Sequence, residues 1–113
     1  PVIYEDEDIM VVNKPCHMPV HPSMRHHGDT LANALAALFA QRGEPFVFRP
    51  VNRLDKDTTG LVLVAKNRYA ANYITGRYKD SIKKTYLAIL CGTPPADSGV
   101  IDLPIRRKAG SVI

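Results

Sequence analysis

Five apolar residues in a row, Leu61-Val62-Leu63-Val64-Ala65, follow directly on a polar stretch, Asn52-Arg53-Leu54-Asp55-Lys56-Asp57-Thr58-Thr59-Gly60. The apolar run reads as a buried strand, around which the rest of a core must be built. Charged residues at the mouth of such a strand cost desolvation energy unless they are paired or used. Functional side chains also concentrate on loops held by a rigid scaffold. The candidate chemistry of this chain therefore lies in residues 52–60.

Other elements can be read around that strand. Residues 2–13 form two short strands about the acidic turn Glu5-Asp6-Glu7-Asp8, and Lys14-Pro15 ends the second. Residues 16–28, rich in Pro and His, read as a loop. A helix follows, with Asp29 or Thr30 as its N-cap, an apolar stripe of Leu31, Ala34, Leu35, Leu38 and Phe39, and Gly43 as its stop. A short extended piece at 46–50 leads into the polar stretch. Asn67 caps a second helix running to about Lys79, with Ala70, Ile74 and Tyr78 on one face and Gly76 weakening its last turn. Further strands are expected at 85–90 and 99–105, followed by a basic tail. Strands separated irregularly by two helices give an α+β fold with a mixed, largely antiparallel sheet and two flanking helices.

At 113 residues and 45% apolar content, the chain is expected to form one domain with one core. A formal charge of +4 is a mild basic bias, compatible with a polyanionic partner. Two isolated cysteines, Cys16 and Cys91, do not make a disulfide framework, and a reducing cytoplasmic setting is the economical reading. No apolar run is long enough to span a bilayer. The start, Pro1-Val2-Ile3, carries no secretion signal and no initiator Met, which reads as a chain trimmed at its front.

The polar stretch resembles the signature of the pseudouridine synthases that modify large-subunit ribosomal RNA and some other RNAs. That signature runs His-Arg-Leu-Asp, two variable residues, then Thr-Ser-Gly-Leu. Arg53, Leu54, Asp55, Thr58, Gly60 and Leu61 match in register, while Asn52 stands for the His and Thr59 for the Ser. Residues 3–15 resemble the opening hairpin of the family, and Val20-His21-Pro22 the loop after it. Lys84-Thr85-Tyr86 resembles its Lys-x-Tyr strand, and residues 99–105 the strand beyond. A later family segment, like Thr-Gly-Arg-x-His-Gln-Ile-Arg, supplies an arginine that pairs with the catalytic aspartate. No such sequence occurs before Ile113, and Arg106 and Arg107 stand in a different context. The chain is thus expected to be a C-terminally truncated catalytic domain.

The resemblance implies that Asp55 is the catalytic carboxylate. It implies that Arg53 fills the gap left by a flipped base, and that Tyr86 lies against the uracil. Asn52, Thr58, Thr59 and Gly60 would shape the RNA-facing loop, with His21 in a positional role. The chemistry suits these residue types. A carboxylate can attack C1′ or remove the C2′ proton, a guanidinium stacks and hydrogen-bonds at once, and a tyrosine offers a flat face with a polar tip. RNA, either ribosomal or transfer, is the expected partner; no membrane, cofactor or obligate protein partner is expected.

Rival readings are weaker. Asp55-Lys56-Asp57-Thr58-Thr59 fits an Asp-x-Asp-x-Thr phosphotransferase nucleophile, but that motif needs its apolar strand before it. The same residues echo half of a calcium loop, whose twelfth position would be Lys66 where a Glu is required. His17, His21, His26 and His27, with Cys16 nearby, lack the spacing of a structural zinc site, so no metal is expected. A non-catalytic RNA-binding module on a synthase scaffold is the serious alternative.

Overall fold

A computed structural model of the chain describes residues 1–106; Arg107 and the end of the basic tail lie outside them. The chain divides into two units, Pro1–Lys83 and Lys84–Ile113.

The first unit is built on a four-stranded antiparallel sheet. Its strands are β1 (Val2–Glu5), β2 (Ile9–Lys14), β3 (Arg49–Pro50) and β4 (Gly60–Ala65), in the order β1-β2-β4-β3. Asp6 closes the first hairpin. Its Oδ1 accepts from the N–H groups of Asp8 (2.8 Å) and Ile9 (2.7 Å), a local bond that favours a tight turn. β2 and β4 pair along their full length, with Met10 opposite Val64, Val12 opposite Val62, and Lys14 opposite Gly60. Because strand side chains alternate between faces, Met10, Val12, Val62 and Val64 share one face and are buried there. The run beginning at Leu61 is therefore buried at Val62 and Val64 and again at its last residue, Ala65, with Leu61 itself exposed. Pro50, which lacks an N–H, sits on the edge strand β3, where a missing donor is tolerated.

Helix α1 (Leu31–Arg42) covers that face with Leu31, Leu35 and Phe39. Thr30 is its N-cap, in a reciprocal capping box with Asn33, and Gly43 closes it in the left-handed region at φ 70°. Of the expected stripe, Leu38 is half-buried and Ala34 is exposed. Helix α2 (Arg68–Tyr73) starts at Asn67, whose Oδ1 accepts from the Ala70 N–H. The helical path continues to Tyr78, as expected, but with wider π winding over Ile74–Tyr78. Thr75 Oγ1 donates to the Ala71 carbonyl (2.7 Å), and Gly76 adds little helical preference of its own. Both loosen the ordinary ladder there.

Glu5 joins three elements. Its carboxylate accepts from Arg42 of α1 (2.9 Å) and from Lys66 just beyond β4 (2.9 Å). Partial burial would raise the Glu5 carboxyl, but these two cations hold it below the ordinary value. Asp6 is also held low, by the Ile9 N–H, the Tyr4 hydroxyl and the Asp8 N–H. Carboxyls depressed in the folded state release stability as pH falls, because the unfolded chain takes up protons first. We expect the urea midpoint to be flat near neutrality and to decline below about pH 4.5, with Glu5→Gln flattening that decline.

In the second unit, residues 84–106 form no helix and no ladder among the described residues. The strands expected at 85–90 and 99–105 are corrected accordingly. A strand exists only through its hydrogen-bonded neighbour. Here Leu87, Ile89, Val100, Ile101 and Ile105 all stand exposed, without the cross-strand packing that makes an apolar residue's strand preference count.

Candidate active site

The polar stretch forms the connection from β3 to β4, and its geometry is set at both ends. Val51 N–H donates to the Leu63 carbonyl (2.8 Å), continuing the β3–β4 ladder one step past Pro50. The main chain then turns away, and the side chain of Asn52 takes over the ladder. Its Oδ1 accepts from the Leu63 N–H (2.7 Å) and its Nδ2 donates to the Leu61 carbonyl (3.0 Å). Expected to face RNA, Asn52 instead spends both ends of its amide on β4. Asn52→Ala should cost about 1–2 kcal/mol of stability by leaving two backbone groups unsatisfied. Unchanged stability with weakened RNA binding would return Asn52 to the RNA-facing set.

At the far end, Gly60 adopts φ 128°, a conformation that L side chains rarely take, with Leu54 Cδ1 3.8 Å from where a Cβ would stand. Leu54 packs against the core cluster, while its neighbours Arg53 and Asp55 are exposed. The inward leucine thus turns the arginine and the aspartate outward together. No ion pair or hydrogen bond engages either side chain among the described residues. The commonplace reading of an Arg-x-Asp sequence, a surface ion pair, is not what forms. A turn closed by the Thr58 N–H on the Asp55 carbonyl (3.1 Å) shapes the segment between them; Thr58 is half-buried and Thr59 exposed.

The support beneath this loop comes from Lys14, which sequence reading passed over as a strand terminus. Lys14 is fully buried. Its Nζ donates to the carbonyls of Met18 (2.8 Å), Pro15 (2.9 Å) and Lys56 (3.0 Å). One ammonium thereby ties the loop after β2 to the segment carrying Asp55, using all three of its donors. Burial pulls the Lys14 ammonium below the ordinary lysine range, and the neighbouring Cys16, Asp57 and Asp55 oppose that shift. Asp55 accordingly has a fixed cationic group within electrostatic reach inside this chain. The signal was present in the sequence: Lys14 shares the inward parity of Met10 and Val12.

Two more contacts join the same loops. Cys16 Sγ donates to the Asp57 carbonyl (3.3 Å), and His17 Nδ1 lies 2.7 Å from Asp57 Oδ1. His21 packs its ring edge-on against Phe48, with centroids 5.3 Å apart. His26 pairs with Asp29 at 2.6 Å and holds that carboxyl below its ordinary value. Tyr86 belongs to the second unit, where it is exposed on irregular chain.

A model of the RNA pseudouridylate synthase family matches residues 8–112. A Bacillus subtilis protein named as the uncharacterized RNA pseudouridine synthase YlyB is 42% identical over 94% of this chain and 36% of its own length. The ribosomal large subunit pseudouridine synthase D of Zymomonas mobilis is 41% identical, over 96% of this chain and 35% of its own length. Among solved structures, human RNA pseudouridylate synthase domain containing 4 superposes with a TM-score of 0.51 at 28% identity, covering 70% of this chain and 29% of that one. The sheet and the two helices are consistent with these likenesses, and the chain belongs to the RNA pseudouridylate synthase family. It spans 35–40% of the length of such curated relatives. Among the described residues, no helix is long and apolar enough to cross a membrane.

Proposed function

We propose that the protein isomerises uridine to pseudouridine in structured RNA, with Asp55 as the catalytic group. The observation that carries this reading is the joint exposure of Arg53 and Asp55 on a loop tied to the sheet by Lys14. In the reaction the N1–C1′ bond breaks, the uracil turns, and C5 bonds to C1′. The hydrogen on C5 leaves as a proton, and N1 gains one. An exposed, unengaged carboxylate is free to attack C1′ or to take the C2′ proton. The base must first leave its stack, at a cost of about a few kcal/mol. In this reading Arg53 is the residue that occupies the gap, and Tyr86 is the tyrosine that lies against the loosened uracil.

Ribosomal large-subunit RNA is the substrate favoured by the names of several relatives, with transfer RNA the other class to assay. Such work belongs in the cytoplasm. The deciding measurement is tritium release from RNA labelled at uridine C5, using the protein that carries this sequence at its natural length. Release in step with pseudouridine formation supports the synthase reading. RNA that binds but releases no tritium, across several RNA classes, would replace it with a non-catalytic binding module.

A further inference from the structure

We propose that Cys16, His17 and Asp57 form a binding site for a divalent transition metal of the zinc class, bridging the loop after β2 to the segment that carries Asp55. The three residues come from two loops separated by 40 positions, so their spacing along the chain conceals the site. In space their ligand atoms all lie within 4.8 Å of one another. Tetrahedral coordination at zinc would set them about 3.3–3.5 Å apart. The remaining movement is small for side chains as exposed as His17 (81%) and Asp57 (69%).

The backbone prepares this arrangement. His17 sits in the left-handed region at φ 61°, the single non-glycine residue to do so among the described residues. That conformation costs about 1 kcal/mol for a residue with a Cβ, and it accompanies the 2.7 Å approach of the imidazole to Asp57. Cys16 reaches the same residue at the Asp57 carbonyl. No other group of three such donors converges among the described residues.

The donor set selects the ion. A thiolate with an imidazole and one carboxylate oxygen suits Zn²⁺, Co²⁺ or Ni²⁺, whereas Ca²⁺ and Mg²⁺ require a shell of oxygens. Three protein ligands leave a fourth position for water or an RNA oxygen. Binding would release the thiol proton and replace the His17–Asp57 contact with metal bonds to each. The ion would stiffen the chain two residues from Asp55. Any effect on turnover rests on the synthase reading, but the binding itself does not.

The test is a Co²⁺ titration of the reduced protein at its natural length, with Zn²⁺ competition. The expected result is a thiolate-to-cobalt charge-transfer band, displaced by Zn²⁺ and absent in Cys16→Ser. His17→Ala and Asp57→Asn should each weaken Co²⁺ binding at least about tenfold. Cys91→Ser and His27→Ala should leave it unchanged. Zn²⁺ should raise the melting temperature of the wild type but not of Cys16→Ser, whose metal-free melting temperature stays at the wild-type value. No cobalt–thiolate band, or a band that survives Cys16→Ser and vanishes in Cys91→Ser, would overturn the site. Tritium release without metal binding sinks this inference alone; metal binding without release sinks the catalytic reading alone.

Discussion

Asp55→Asn is expected to lower tritium release by about 10⁴-fold or more, the scale of losing a group that reacts directly with substrate. RNA binding should stay within about twofold of wild type, because the change is isosteric and base contacts come from other residues. Folding stability should move by less than about 0.5 kcal/mol. The basis is structural: among the described residues no ion pair or hydrogen bond holds the Asp55 side chain, so its replacement breaks no contact seen there. Lost turnover in a fully stable variant that still binds RNA therefore reports on chemistry alone. Residual turnover within tenfold of wild type would move the catalytic role to another residue.

Lys14→Met carries the second large effect, and it acts through the fold. Methionine keeps the length and burial of the side chain but leaves the carbonyls of Pro15, Met18 and Lys56 without their shared donor. Each part-buried acceptor so abandoned costs about 1–2 kcal/mol. Relief of the buried charge offsets part of the sum. A net loss of about 3 kcal/mol is expected, seen as a lower urea midpoint at unchanged slope. Turnover should fall at least about tenfold even where the variant remains folded, since Asp55 loses its position by a fraction of an ångström. Wild-type stability in Lys14→Met would show that the ammonium is a passenger.

Much of the first unit was legible in its sequence because each element carries its own local instruction. Asp6 turns the hairpin, Thr30 and Gly43 bound α1, and the alternation in β2 and β4 fixes the buried face. The signature loop could be located because polar residues crowd the mouth of an apolar strand. The bonds of Asn52 to β4 were not legible, since an amide imitating a backbone rung looks in sequence like any other polar residue. The site's supports were hidden for a related reason. Lys14 reads as a surface charge until its parity is counted, and Cys16, His17 and Asp57 meet only after 40 residues of chain have folded between them. Residues 85–90 and 99–105 show the opposite failing. Their composition states a preference for extended chain, but a preference is not a partner.

The Lys14 ammonium holds the loop by its peptide oxygens and by no side chain at all. What it recognises is the path of the chain, which positions 15, 18 and 56 would present whatever residues they carried. The outer lettering of the loop is thus free to drift with the RNA it meets, or to be rewritten by design at Lys56, while the placement of Asp55 is inherited unchanged. Shape and vocabulary are kept in separate hands.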